Sequence, residues 1–81
     1  MNILLVDDEP DVRKSLSNFL TKLGHTVICA TDGIEGLKTF HSQNFNLVIT
    51  DIRMPGMDGL EVLRRIKTIE QSPVDLSLIH I

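Results

Sequence analysis

Short apolar runs alternate with helical stretches along this chain, and the alternation restricts the fold more than any other feature. The runs are "NILLV", "HTVICAT" and "FNLVIT", at residues 2–6, 25–31 and 45–50. Each is bounded by charged or turn-forming residues, and continuous apolar runs of this length are typical of strands buried on both faces of a parallel sheet. The chain therefore contains three predicted buried strands.

A helical stretch follows the first run. Pro10 suits the first turn of a helix, because its missing N–H would have no intrahelical partner there. Lys22 suits the last turn and Gly24 the position just beyond it. The apolar residues that recur at spacings of three and four, and that form one stripe along the helix, are Val12, Leu16, Phe19, Leu20 and Leu23.

The second and third helices are each predicted to begin at an aspartate. Asp32 followed by Glu35 has the spacing of a capping box, and Asp58 is placed to cap the third helix. Gly33 and Gly36 lower the helix propensity of the second helix, so it is the weakest predicted element. The predicted inner faces are Ile34, Leu37 and Phe40 in the second helix and Leu60, Leu63 and Ile66 in the third.

The resulting order, β-α-β-α-β-α, predicts an α/β fold with a parallel sheet and helices on both of its faces. With 81 residues the chain has room for one domain.

Its 8 basic side chains are scattered among 11 acidic ones, which argues against direct binding of nucleic acid or a charged membrane surface. No apolar stretch approaches the ~20 residues that span a bilayer, and the start lacks a basic leader. We therefore expect a cytoplasmic location.

Three acids are predicted to meet at one edge of this sheet. Asp7 and Asp8 follow the first run, and Asp51 follows the third. If those strands are neighbours, ~4.8 Å apart, the three carboxylates converge. Two unit charges ~5 Å apart repel by roughly 3 kcal/mol at an effective dielectric constant of 20. A hard cation such as Mg²⁺ would relieve this repulsion, and an aspartate can also accept a phosphoryl group. Asp11 and Asp58 are better explained as charges near helix N-termini.

The stretches "ILLVDDEP" and "VITDIRMPGMDGLEVL" together resemble the receiver domain of bacterial two-component response regulators. The resemblance covers residues 2–70. It implies a flavodoxin-like parallel sheet with strand order 2-1-3-4-5, in which the first and third strands are adjacent. It also implies transfer of a phosphoryl group to the domain from a histidine kinase, a phosphotransfer protein or a small phosphodonor, followed by hydrolysis. Such a domain phosphorylates and dephosphorylates itself and is not a conventional enzyme.

The same resemblance implies a role for each site residue. Asp51 would be the phosphoacceptor and would also contact Mg²⁺. Asp8 would be a direct metal ligand, Asp7 would act through water, and the backbone carbonyl of Arg53 would be the third protein ligand. The Arg53 side chain would either tune dephosphorylation or be a plain surface arginine. The two histidines His25 and His41 fall outside the predicted pocket.

The match also predicts that the fold is incomplete, with about three and a half of five βα units. The hydroxyl residue that ends the fourth strand of a receiver and the lysine that ends the fifth would then be missing. Residues 1–75 are interpreted as a partial receiver domain. Residues 76–81, "LSLIHI", resemble a translated sequencing adaptor or form the start of strand four, with Pro73 and Val74 at its beginning and His80 within it. An exposed sheet edge would favour self-association.

Two other functions stay open from the sequence. One is a Mg²⁺-dependent phosphatase with an aspartate nucleophile. Such enzymes typically place the nucleophile after the first strand and a second aspartate two positions later, whereas Asp7 and Asp8 are adjacent. The other is a non-phosphorylated pseudo-receiver that acts only as a binding module. The presence of all three acids argues against such degeneration.

Overall fold

The computed structural model describes residues 1–69 and 75–79, with the backbone alone for 69 and 75–79. Its seven elements alternate between strands and helices, as the sequence predicts. The four strands form one parallel sheet in the order β2-β1-β3-β4. The elements are β1 (Asn2–Val6), α1 (Pro10–Lys22), β2 (Thr26–Ala30), α2 (Gly33–Ser42), β3 (Leu47–Asp51), α3 (Gly59–Ile69) and β4 (Asp75–Ile79).

Strand β1 lies inside the sheet, between β2 and β3, and the side chains of residues 3–6 are completely buried. The predicted adjacency of the first and third strands is therefore confirmed. Leu4 and Val6 pack in one core with α2 and α3. Since strand residues alternate between faces, Ile3 and Leu5 point to the opposite face, where α1 packs on β1 and β2. The sheet has helices on both faces, and the flavodoxin-like fold is confirmed.

The predicted helix ends are also confirmed. Pro10 begins α1, and Gly24 lies just after that helix with a φ of 96°, a left-handed conformation that glycine adopts without a steric penalty. The Asp32 carboxylate accepts a hydrogen bond of 2.8 Å from the Glu35 backbone N–H. Asp58 caps α3 in the same way, since its Oδ1 accepts a 2.9 Å bond from Glu61 N–H.

The predicted inner face of α2 is wrong at one position. Ile34 is 58% exposed, whereas Gly33 and Gly36 are buried. A β-carbon at Gly36 would lie 2.9 Å from Cγ2 of Val6. The two glycines therefore form the contact surface, which turns Ile34 toward solvent. Gly36 lets the helix approach the sheet at Val6, and Gly33 lets it approach Met57 and Val62.

A similar shift applies to α3, whose predicted face included Leu60. This side chain is 53% exposed, while Val62 and Ile66 are completely buried. The helix begins at Gly59, so Leu60 lies in its first turn and outside the core. Val62 and Ile66 are four residues apart, the spacing that places two side chains on the same face.

Helix α1 is the least buried of the three helices. None of its residues is fully buried, and Phe19 and Leu23 are 60% and 59% exposed. Among the described elements the helix contacts β1 and β2, and the exposed pair makes up two of the five residues of its predicted apolar stripe.

Strand β4 pairs in parallel with β3, from Leu47 opposite Asp75 to Asp51 opposite Ile79. It lies at the edge of the described sheet. The expectations for Pro73, Val74 and His80 fall on positions outside the described residues. The assignment of residues 76–81 to a native strand or to an adaptor stays a prediction.

Candidate functional site

Three carboxylates meet at the edge of the sheet where β1 and β3 end. Asp7 and Asp8 follow β1 directly, and Asp51 is the last residue of β3. One oxygen from each side chain can be chosen so that all three atoms lie within 4.8 Å of one another. The structure thus brings together the three acids that the sequence places at strand ends.

Asp7 is the most buried member of this cluster, with only 1% of its surface exposed. Its Oδ1 accepts a 2.9 Å hydrogen bond from the Glu9 backbone N–H. Its Oδ2 is buried and has no hydrogen-bond partner among the described residues. A buried carboxylate oxygen without a partner is costly. This atom is therefore a clear candidate for interaction with a cation or with water.

The surroundings of Asp7 raise its pKa above the usual value. Burial is the largest cause, because it disfavours the charged carboxylate, and the negative charges of Asp51 and Asp8 act in the same direction. The Glu9 N–H bond and the positive charge of Arg13 oppose the rise in pKa. Ionisation of Asp7 is therefore less favourable than that of a free aspartate.

Asp51 is also buried, with 7% of its surface exposed. Its Oδ1 accepts a 3.2 Å hydrogen bond from the Arg53 backbone N–H. The loop after β3 folds back on the strand, because the Gly59 N–H donates a 3.0 Å bond to the Ile52 carbonyl. These bonds fix the end of β3 and the orientation of the Asp51 carboxylate.

Asp8 is exposed and connects the cluster with solvent. It borders a cavity of about 300 Å³ between the start of α2 and the loop after β3. Ile34, Pro55 and Met57 contribute apolar surface to this cavity. The acidic cluster is therefore open to solvent on the Asp8 side.

The donor set fits a hard divalent cation. Mg²⁺ prefers carboxylate and carbonyl oxygens and keeps several waters. The unpartnered Oδ2 of Asp7 and the three converging carboxylates are the features of this chain that suit it. The Arg53 side chain is exposed, which is compatible with both roles considered for it.

The other predicted positions lie elsewhere. The ring Nδ1 of His25 is 3.2 Å from the Met1 amino group, and His41 is exposed near the end of α2. Asp11 lies in the first turn of α1 and Asp58 caps α3, as expected for charges near helix N-termini. None of these four belongs to the acidic cluster.

Arg13 was missed by the sequence analysis. Its Nη1 donates a 2.8 Å hydrogen bond to the Asp7 backbone carbonyl. A basic residue near the N-terminus of a helix opposes the helix dipole, and Arg13 is only three positions after the first residue of α1. That conflict was the available signal that a nearby negative group attracts this side chain.

Among the described residues, no helix has both the length and the apolar character needed to cross a membrane.

The comparison with family models matches residues 3–79 to the response regulator receiver domain. The chain is also 40% identical over 75 residues to the transcriptional regulatory protein AfsQ1 of Streptomyces coelicolor, a match that covers 93% of this chain and 33% of AfsQ1. It spans about a third of the length of several such curated relatives.

Two solved structures are similar over nearly the whole chain. One is the response regulator TrrA of Thermotoga maritima in complex with Mg²⁺-BeF, with a TM-score of 0.86, 43% identity and coverage of 98% of this chain and 66% of that one. The other is histidine kinase ThkA in complex with TrrA, with a TM-score of 0.86, 34% identity and coverage of 99% and 84%. From the family match, the fold and the clustered acids, we conclude that this chain belongs to the response regulator receiver domain family.

Proposed function

We propose that the chain accepts a phosphoryl group on Asp51, with Mg²⁺ held at the acidic cluster. The observation that carries this proposal is the convergence of Asp7, Asp8 and Asp51, together with the unpartnered Oδ2 of Asp7. Membership of the receiver family supports it.

In the proposed transfer, an oxygen of Asp51 attacks the phosphorus of the donor. The new bond joins that oxygen to phosphorus. The bond that breaks is the P–N bond of a phosphohistidine or the P–O bond of acetyl phosphate, and its electron pair leaves with the departing group. With Oδ1 of Asp51 held by the Arg53 N–H, Oδ2 is the oxygen free to attack. In later hydrolysis, a water oxygen forms a bond to phosphorus, the bond between phosphorus and the Asp51 oxygen breaks, and inorganic phosphate leaves the restored carboxylate.

The metal ligands in this proposal are Asp8 and Asp51 directly, Asp7 through water, and the backbone carbonyl of Arg53. Bound Mg²⁺ would screen the negative charge of the phosphoryl group from that of the carboxylates. The Glu9 N–H bond keeps the Asp7 carboxylate oriented in the cluster. The complex of TrrA with Mg²⁺-BeF supports this choice of ion.

The proposed protein partner is a histidine kinase or a phosphotransfer protein. The similar structure of ThkA in complex with TrrA supports a kinase. We propose no direct contact with nucleic acid or membrane, and a cytoplasmic location. We propose that residues 1–75 form the receiver part. Residues 76–81 are either the start of strand four or a translated adaptor. Sequencing of the genomic locus would decide between these two alternatives.

The test is intact-mass measurement after incubation with acetyl phosphate and Mg²⁺. We expect one phosphoryl adduct on the native chain and none on Asp51→Asn or after chelation. Asp58→Asn is the matched control, because asparagine caps a helix as well as aspartate does, and it should keep the adduct. An adduct that persists in Asp51→Asn would overturn the assignment of the phosphoacceptor.

A further inference from the structure

Arg13 reaches the acidic cluster from the first half of α1. The side chain is half-buried, and its guanidinium group is held by the 2.8 Å hydrogen bond to the Asp7 carbonyl. This bond holds a permanent positive charge at the backbone of Asp7, whose carboxylate is buried. The helix dipole alone would disfavour a positive charge at this position near the N-terminus of α1.

The positive charge acts on the cluster without being bound by it. Among the described residues, no carboxylate oxygen lies within 4.0 Å of the Arg13 guanidinium. The positive charge of Arg13 nevertheless lowers the pKa of Asp7, whereas the negative charges of Asp8 and Asp51 raise it. Arg13 therefore offsets part of the electrostatic repulsion in the cluster. Its guanidinium group occupies none of the carboxylate oxygens, so it does not block other ligands.

We propose that Arg13 is a built-in counter-cation, which stabilises the acidic cluster when no divalent ion is bound and weakens the attraction of the cluster for that ion. The second half of this inference rests on the proposed metal site. The first half does not depend on a metal ion, since it rests on the hydrogen bond between Arg13 and Asp7 and on the convergence of the three acids.

A purely structural role for Arg13 would have a different consequence. If the side chain only held the connection between β1 and α1 in place, its loss would displace Asp7 and Asp8, and divalent ions would bind more weakly. If its charge is what matters, loss of that charge makes the cluster more negative. Divalent ions then bind more tightly, while the metal-free chain becomes less stable.

The test compares Arg13→Gln, Arg13→Lys and Lys14→Gln with the native chain. Arg13→Gln removes the charge and keeps an N–H donor on a shorter side chain, while Arg13→Lys keeps the charge and removes the guanidinium group. Lys14→Gln makes the same charge change at the next position of α1, where the side chain is exposed. The measurements are the melting temperature in chelator at low and high NaCl concentration, and Mn²⁺ affinity from the electron paramagnetic resonance signal of free Mn²⁺.

We expect Arg13→Gln to melt several degrees below Lys14→Gln at low salt, and the difference to shrink at high salt, where charges are screened. We expect its dissociation constant for Mn²⁺ to fall about threefold or more. Arg13→Lys should bind Mn²⁺ as the native chain does, because the charge is kept.

Weaker or unchanged Mn²⁺ binding by Arg13→Gln would overturn the inference. If the native chain itself binds no Mn²⁺, the proposed metal site is wrong. The salt-dependent loss of stability of Arg13→Gln then still tests the stabilising role of Arg13. If Arg13→Gln does not fold, Arg13→Lys decides, since a dissociation constant changed several-fold with the charge retained would contradict the inference.

Discussion

A β-carbon at Gly59 would overlap the backbone carbonyl of Asp51. The obstacle is main chain, which cannot rotate away as a flexible side chain could. The first residue of α3 therefore lies directly against the last residue of β3. This contact sets where the β3–α3 loop can run, and with it the position of the Asp51 carboxylate.

Gly59→Ala should destabilise the chain by about 1–3 kcal/mol, since the added methyl group must push the strand and the helix apart. It should also reduce the yield of phosphoryl adduct at concentrations of denaturant where the variant is still folded. Urea unfolding and intact mass are the measurements. Gly56→Asn in the same loop is the control, because Gly56 has a φ of 78° that asparagine tolerates and no atom lies within 4 Å of its added β-carbon. Equal stability of Gly59→Ala and native chain would contradict the overlap.

The raised pKa of Asp7 predicts a dependence of stability on pH. A carboxyl whose folded-state pKa lies above its unfolded value of 3.8 lowers the free energy of unfolding when it ionises. This loss of stability is absent below pH 3.8 and complete above the folded-state pKa. Asp7→Asn removes the penalty, so its advantage in free energy of unfolding over the native chain should grow as the pH rises from about 4. Asp8, Asp51 and Arg13 are the charged groups acting on Asp7.

This pH dependence is measured by urea unfolding of both chains in chelator. Asp58→Asn is the comparison variant, because Asp58 is exposed and lies outside the acidic cluster. A stability difference between Asp7→Asn and the native chain that stays constant across the pH range would rule out the burial penalty.

Two substitutions in α2 test which side of the helix faces the core. Phe40 is 7% exposed and packs with Phe45 at a ring-centroid distance of 6.3 Å. Phe40→Ala should cost about 3–5 kcal/mol, whereas Ile34→Ala should change stability by no more than about 0.5 kcal/mol. Chemical denaturation of both variants is the measurement. Similar losses for the two would show that Ile34 is not a solvent-facing residue.

The order of the elements was predictable because it depends on local signals. Apolar runs, Pro10, Gly24 and the capping aspartates Asp32 and Asp58 all act within a few residues of the chain. The exposure of Ile34 was not predictable from periodicity, since it depends on how closely a glycine lets α2 approach Val6.

The candidate site was predictable in part for a related reason. Asp7, Asp8 and Asp51 mark strand ends in the sequence, and parallel topology places those ends at one edge. Arg13 was missed because its role depends on a hydrogen bond between a helix side chain and the backbone carbonyl of Asp7, just after β1, which no sequence spacing indicates.

Self-association through the edge of the sheet is a further expectation. Strand β4 pairs with β3 on one side and with no strand of the described chain on the other, and such edges can pair with another molecule. Sedimentation velocity should show a mass that rises with concentration. The double variant Phe19→Gln with Leu23→Gln removes the exposed apolar surface of α1 and should leave this rise unchanged. If the rise disappears in that variant, α1 and not the strand edge is the contact.

More than half of the chain separates Asp8 from Asp51 in sequence, although they meet where β1 and β3 end. In the unfolded chain these charges are far apart, so their mutual repulsion first arises when the two strands pair. That pairing closes a long loop, which is a slow kind of step in folding. Neutralising the acids should therefore change the rates of folding and unfolding, and the kinetics would report when in folding the site assembles.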